Sequence, residues 1–352
     1  MKRTILFLLF SVVVLHFAAA QIGGSSTYTF LTLPNAARVA ALGGDVISIT
    51  DNDFNFVFHN PALLNETMNK SIVLNYVNYF SDIDFGYAAY AFHIKKLGTF
   101  GAGLHFINYG TFEDADVTGE ITGNFYAEEY ALNLYWAREI TERISFGVNL
   151  KPVLSQLERY KSYGVAADLG LIYKSKDSLF AIGLVCKNIG TQIESYYGNN
   201  REPLPFEIQI GVSKKLKHAP FRVTLLAQHL ESLDMTFENP LYPTTTIDQF
   251  TGEVSTQSNF EKFTDKTFRH IVVGLEFVPS KNFHVEVAYN HQRRAEMNLP
   301  SKPAAIGISW GFGVRISKFH LSYGRASYHL AGASNHFSVT TNISDFKRGA
   351  TL

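Results

Sequence analysis

Strict two-residue alternation is the strongest constraint in this sequence. In IGISWGFGV, at 306–314, Ile306, Ile308, Trp310, Phe312 and Val314 take one face, while Gly307, Ser309, Gly311 and Gly313 take the other. A helix cannot sort side chains with a period of two. An extended strand does, and the sorting means that its two faces meet different surroundings. The pattern recurs at 143–151 (RISFGVNLK), 206–213 (FEIQIGVS), 283–290 (FHVEVAYN) and, more weakly, 337–344 (FSVTTNIS).

About fourteen such segments can be counted, at 71–80, 84–94, 98–109, 126–138, 143–156, 162–174, 178–188, 204–214, 220–232, 267–278, 282–292, 303–316, 318–327 and 333–344. Most reach the roughly 9–11 residues that a tilted strand needs to cross a bilayer. No amphipathic helix of comparable length is expected between them. Alternate connections are short and basic: KKLG at 95–98, REITER at 138–143, KSKDS at 174–178, KKLKHAP at 214–220, PSKN at 279–282 and SK at 317–318. The intervening ones are mostly longer, at 110–125, 189–203, 233–266 and 292–302, with 81–83 a short exception.

A secreted β-sandwich also alternates, but its solvent faces carry charge and its loops are not sorted by length. Here the second faces are rich in Gly, Ala and Ser, and charge gathers in the turns. The pattern predicts an all-β fold, a transmembrane antiparallel β-barrel of about fourteen strands. An even strand number puts both barrel ends on the short-turn side. The apolar face then meets lipid, and ring closure pairs the backbone groups that a bilayer cannot satisfy. Tyr76, Tyr79, Trp136, Phe277 and Tyr289 fall near segment ends, where aromatic girdles lie.

Composition agrees, since 29 Phe and 18 Tyr favour strands. Lys plus Arg, 31, equals Asp plus Glu, 31, which argues against nucleic acid as a partner. Residues 1–20, MKRTILFLLFSVVVLHFAAA, read as a secretory signal, with an apolar run too short for a membrane anchor. The one cysteine, Cys186, excludes an internal disulfide, and no cysteine follows the signal to carry a lipid.

Residues 21–70 precede the first strand. Pro34, Gly43-Gly44 and Asn60-Pro61 punctuate them, which predicts broken structure with a short helix near 35–42. Inward glycines at 101, 103, 147, 164, 170, 183, 211, 274, 307, 311 and 313 make room in a lumen, and an N-terminal hatch or plug would use that room. The expected organisation is a signal at 1–20, a hatch at 21–70, a barrel at 71–346 and a tail at 347–352. Lys151, Asp168, Lys187, Glu207 and Glu276 fall on lumen faces. They either line a polar path or pin the hatch through ion pairs; pinning is the expectation, with Arg38 a candidate partner.

Several stretches carry a family resemblance. They are LPNAARVAALGGD at 33–45, the acidic pair Asp51 and Asp53, HNPALL at 59–64, LNYVNYFSDIDFGYAAYA at 74–91, INYGTFEDAD at 107–116 and KLKHAPFRVTLLAQHLESLDM at 215–235. In series they resemble the FadL-like outer-membrane barrels, and within them the PorV/PorQ branch of the type IX secretion system. The resemblance implies fourteen strands and an N-terminal hatch whose motif residues are Arg38, Gly43, Gly44, Asn60, Pro61 and Ala62. It implies a non-enzymatic protein of the Gram-negative outer membrane, surrounded by outer-membrane lipid and without a cofactor. Its partners would be a PorZ-like surface protein, the PorU sortase and PorV, in the attachment complex. The alternative on the same fold is transport of hydrophobic small molecules, as by FadL, because fold does not decide function. Many outer-membrane barrels end on an aromatic residue; here Phe346 is followed by KRGATL.

Other chemistry is sparse. Gly307-Ile308-Ser309-Trp310-Gly311 matches the G-x-S-x-G pattern of hydrolases, but that nucleophile needs a sharp strand-to-helix turn. Ser309 lies inside a strand pattern and is expected to face the lumen, against the plug. The twelve histidines show no metal-ligand spacing; His93, His105, His270 and His284 fall in strand patterns. Glu113, Asp114 and Asp116 read as a solvated acidic loop rather than a calcium site. Cys186 shares a face with Phe180, Ile182 and Leu184 and is expected to point at lipid. The long 233–266 loop opens with Phe237, Pro240, Tyr242 and Pro243, a candidate partner-docking surface.

Overall fold

The computed structural model of the chain describes residues 26–80, 82–236, 245–247, 254–256, 258–297, 305–329 and 332–347. The signal at 1–20, the tail beyond 347 and the docking residues Phe237, Pro240, Tyr242 and Pro243 lie outside the described residues.

The strands are β1 (Ser71–Asn78), β2 (Asp84–Ile94), β3 (Gly98–Ala115), β4 (Ile121–Thr141), β5 (Ile144–Leu157), β6 (Tyr160–Lys174), β7 (Phe180–Glu194), β8 (Glu207–Lys215), β9 (Phe221–Ala227), β10 (Thr245–Ile247), β11 (Val254–Thr256), β12 (Ile271–Ser280), β13 (Phe283–Asn290), β14 (Ile308–Ile316), β15 (Phe319–His329) and β16 (Gly332–Asn342). The β10–β11 pair is a separate hairpin, and the other fourteen form one closed antiparallel barrel. β1 closes the ring on β16, from Ser71 opposite Asn342 to Asn78 opposite Asn335. The helices described are α1 (Ala37–Ala41), α2 (Asn259–Arg269), α3 (His291–Met297) and α4 (Ile343–Lys347).

Alternation becomes geometry in the wall. Leu134, Leu150, Leu169 and Leu184 point outward and are 41%, 43%, 41% and 39% exposed. Their strand neighbours Asn133, Asn149 and Asp168 are buried inside. An apolar band of this kind around a whole molecule is far beyond what a soluble monomer shows and fits a lipid-facing surface. Among the described residues no helix is long and apolar enough to cross a membrane. Ser71 and Asn342 share a rim with the short connections at 95–97, 142–143, 175–179, 216–220, 281–282 and 317–318.

The opposite rim departs from the sequence reading. β3 and β4 run on to Ala115 and Ile121, so the loop expected at 110–125 is a turn at 116–120 closing a strand extension that carries Glu113 and Asp114. β7 likewise continues to Glu194, past the expected end at 188. Helix α2 occupies part of the long connection where no helix was expected. Its start is fixed by a capping box: Glu261 N donates to Ser258 Oγ (3.2 Å), and Ser258 N donates to Glu261 Oε2 (2.8 Å). His270 caps that helix and stands just before β12 rather than within a strand.

Three smaller corrections follow from local geometry. The barrel ends at Asn342, not 346, because α4 turns the chain aside with Ile343 N donating to Lys70 O (3.0 Å). Phe346 therefore sits outside the last strand, against Phe319. Gly307 has φ +83 in the turn before β14, so it is not an inward strand glycine. Tyr79 points inward, stacked on Phe80 (4.2 Å) and edge-on to Phe85 (5.9 Å), rather than joining a girdle.

Candidate functional site inside the barrel

Residues 26–70 occupy the lumen and touch opposite walls. Two glycine floors receive them. On one side Gly311 and Gly324 are cross-strand partners. A Cβ on Gly311 would stand 2.6 Å from Ala41 Cβ, and one on Gly324 would strike the backbone of Ala37. On the other side Gly147 pairs with Gly170, and Gly183 with Gly211. The Asn60-Pro61-Ala62 turn lies on the first pair and Ile47 on the second. Bare faces on these strands thus admit backbone where side chains would otherwise stand. Gly103 and Gly313 differ: their open space is filled by wall residues, Ala89 and Tyr87 for the first and His284 for the second.

The motif residues have distinct structural tasks. Helix α1 ends in a Schellman arrangement: Gly44 N donates to Val39 O (3.1 Å) and Gly43 N to Ala40 O (3.2 Å). Both glycines have φ above +90°, which only glycine adopts without strain. Asn60 caps the turn that follows, its Oδ1 accepting from Ala62 N (3.0 Å), and Pro61 opens that turn, where no N–H is needed. Asn60 Nδ2 donates to Ile47 O (2.7 Å), tying two parts of the segment together. Ser309, inside β14, donates to Ala41 O (3.0 Å) and is fully buried, so its hydroxyl is a wall-to-segment tie.

Arg38 is the electrostatic centre. Its Nη2 lies 2.7 Å from Glu276 Oε1 and 2.6 Å from Asp51 Oδ2, and its Nη1 lies 3.2 Å from Asp53 Oδ2. Glu286 is 3.8 Å away, and the guanidinium lies 4.8 Å from the Phe56 ring centre. Arg222 from β9 bridges the same Asp51 and Glu276 (3.0 and 2.9 Å). Burial alone would lower the Arg38 guanidinium, but Asp51, Glu276, Asp53 and Glu286 outweigh it and hold it well above its ordinary value. Burial alone would raise Asp51, yet Arg38 and Arg222 hold it well below the usual carboxylate range.

A second latch stands on the other wall. Asp45 Oδ1 accepts from Lys187 Nζ (2.7 Å) and from His59 Nδ1 (2.5 Å), and Asp45 Oδ2 accepts from Gln209 Nε2 (3.1 Å). Burial works against an ionised Asp45, but Lys187 and His59 outweigh it and keep the carboxyl well below its ordinary value. Burial pushes His59 down, against the pull of Asp45. On its other side the ring meets Asn35, with Nε2 2.9 Å from Asn35 Oδ1.

Of the lumen charges singled out from sequence, Glu276 and Lys187 hold the segment. Lys151 and Asp168 instead pair within the wall (2.6 Å), and Glu207 bonds Gln209 (2.8 Å). Asp45, His59 and Arg222 were not singled out. The signal available was their position: Asp45 closes LGGD, His59 opens HNP, and Arg222 is a charge at inward parity in β9.

Toward the long-loop rim the interior becomes apolar. Tyr28, Phe30, Phe85, Ile107 and Leu204 form a buried layer, with Leu33, Tyr79, Ile83, Tyr109 and Tyr196 half-buried against it. The tyrosine hydroxyls are engaged, Tyr109 with Glu129 (2.6 Å) and Tyr196 with Ser155 (2.7 Å), which leaves the rings as lining. Toward the short-turn rim a cavity of about 560 Å³ lies between segment and wall, lined both by polar residues such as Asn52, Asn65, Arg138 and Lys174 and by apolar ones such as Leu63 and Ile172.

No family model and no curated protein sequence matches the chain. Among solved structures it is similar to the toluene transporter TbuX of Ralstonia pickettii, with TM-score 0.51, 12% identity, and coverage of 88% of this chain and 99% of that one. It is likewise similar to the toluene transporter TodX of Pseudomonas putida, with TM-score 0.50, 12% identity, and coverage of 89% and 99%. Identity this low speaks for architecture alone, and the chain shares with these two transporters the fold of a closed antiparallel barrel.

Proposed function

We propose that this chain is a non-enzymatic barrel that passes small apolar molecules across a Gram-negative outer membrane, with residues 26–70 as the hatch. The half-buried ring lining at the long-loop rim carries this reading. Leu33, Tyr79, Ile83, Tyr109 and Tyr196 offer apolar and aromatic surface at a mouth where a water-filled pore would present charge. The cavity at the other rim, of mixed polar and apolar lining, lies between hatch and wall where a released molecule would leave. The shared fold with two toluene transporters supports the same class of cargo.

Binding of a fluorescent alkyl-chain probe to the barrel in lipid nanodiscs, with toluene as competitor, tests it. Saturable, toluene-competed binding that Ile83→Asp weakens about tenfold is the expected result. Absence of saturable binding, or indifference to Ile83→Asp, overturns it.

A protein anchor is the second reading, favoured by the β3–β4 hairpin. Among the described residues this hairpin has no flanking strand beyond Asn108 and Ala127, and it exposes Phe112, Val117, Ile121 and Tyr126. On that reading it meets a PorZ-like surface protein, with the PorU sortase and PorV alongside. Purification from native outer membranes in mild detergent separates the two readings. A stoichiometric surface protein supports the anchor, and a lone barrel carrying an apolar ligand supports transport.

A further inference from the structure

Helix α2 is amphipathic in a simple way. Phe260, Phe263, Thr264, Thr267 and Phe268 share one face, at the spacing i, i+3, i+4, i+7, i+8. The other face holds Glu261, Lys262, Asp265, Lys266 and Arg269. Much of that polar face is already satisfied within the chain. Glu261 completes the capping box, Arg269 pairs with Asp265 (2.8 Å), and Lys266 pairs with Asp234 (2.5 Å). The apolar face is bare, with Phe260 77%, Phe263 69% and Phe268 50% exposed.

Its place on the barrel says what covers that face. The helix ends one residue before β12, at the long-loop rim. Phe268 packs edge-on against His291 (5.9 Å), and Asp265 Oδ1 accepts from His291 Nε2 (3.3 Å). His291 in turn bonds the hydroxyl of Tyr289 through Nδ1 (3.1 Å). Tyr289 faces outward in β13, level with Val273 in β12, and both belong to the exposed apolar band. The helix is thus tied to the outside of the wall, and its phenylalanines continue a surface that lipid already covers.

We propose that α2 lies in the bilayer interface at the long-loop rim, with Phe260, Phe263 and Phe268 entering the boundary of the acyl chains and the charged face turned to headgroups and water. A short helix with an aromatic face and a charged face is the form that such interfacial seating takes. The seating needs the barrel to be in a bilayer but does not depend on what the lumen carries.

The test is site-directed fluorescence quenching in lipid nanodiscs. In a Cys186→Ser background, single probes are placed by Phe263→Cys, Lys262→Cys and, as the wall reference, Leu275→Cys. Each is quenched by aqueous iodide and by lipids carrying a shallow nitroxide. The expected result is nitroxide quenching at Phe263→Cys comparable to that at Leu275→Cys, with iodide quenching about threefold weaker than at Lys262→Cys. Iodide-accessible, nitroxide-insensitive Phe263→Cys beside a nitroxide-quenched Leu275→Cys overturns the seating while leaving the barrel embedded. A Phe263→Cys probe open to iodide in nanodiscs but shielded from both quenchers in native outer membranes also overturns it, and points to a protein on that face. Failure of nitroxide to reach Leu275→Cys overturns the seating together with the embedding it rests on.

Discussion

Gly147 and Gly170 stand opposite each other on β5 and β6, and the Asn60-Pro61-Ala62 turn fills the volume their side chains would take. A valine at 147 meets the Pro61 carbonyl and the Ala62 nitrogen, backbone that has no rotamer by which to withdraw. Gly147→Val should therefore cost about 1–3 kcal/mol or more. A lowered urea midpoint, with loss of the heat-modifiable band of the folded barrel in detergent, would register it. Gly123→Val, where nothing lies within 4 Å of an added Cβ, should leave both unchanged.

Arg38→Met strips the countercharge from a cluster that includes the fully buried Glu276. Breaking a buried pair from one side costs about 3–5 kcal/mol, because the remaining charge stays desolvated. Limited proteolysis should then cut within 26–70, where burial should protect wild type. Arg38→Lys should rescue only in part, since an ammonium cannot reproduce the planar fork that reaches Asp51, Asp53 and Glu276 together. Adding Glu276→Gln to Arg38→Met should recover some resistance, and no recovery would argue against charge as the cause.

Acid should loosen the segment in two stages. His59 is depressed when docked, so the undocked chain takes up the proton first. Docking then weakens as pH falls below about 6.5, by at most about 1.4 kcal/mol per pH unit. Asp45 and Asp51 are also depressed. Their stabilisation is present in full above the ordinary carboxyl value, about 4, and is lost as pH falls further toward their docked values. Protease protection of 26–70 against pH should show both limbs. His59→Gln should flatten the upper limb and keep the lower; an unchanged upper limb would assign it elsewhere.

Ser309→Ala removes the hydroxyl that donates to Ala41 O. It should destabilise by about 1 kcal/mol, read as a lower unfolding midpoint. Any esterase activity in the preparation should be untouched, and its loss would show that Ser309 acts as a nucleophile after all.

Cys186 lies on the outward face of β7 with Ile182 and Leu184. In nanodiscs it should resist maleimides, because addition needs the thiolate and lipid keeps the thiol protonated, and it should react once the barrel is unfolded in urea. Reaction of the folded barrel with a charged maleimide would place this part of the wall in water.

The barrel was legible because lipid on one side and a packed lumen on the other impose a period of two on every crossing strand. The strand extensions were hidden for the converse reason. Past Tyr109, in GTFEDADVTGEITGNF, both faces of the hairpin meet water, so the alternation loses its contrast. Helix α2 left a readable capping box, Ser258 to Glu261, but three phenylalanines among polar residues looked like loop. Arg38 and Glu276 were each marked as unusual, yet their meeting across 238 positions depends on how the segment coils inside the ring, which no local pattern records. Lys151 with Asp168 shows the opposite error: an inward charge need not reach the segment when a neighbouring strand offers a partner.

The seam between β1 and β16 joins the first strand made to the last. The segment inside is bonded to β12 through Arg38 and Glu276 and to β7 through Asp45 and Lys187. Residues 26–70 are therefore a cross-brace as well as a filling: a change at either latch is felt by strands on both sides of the cylinder.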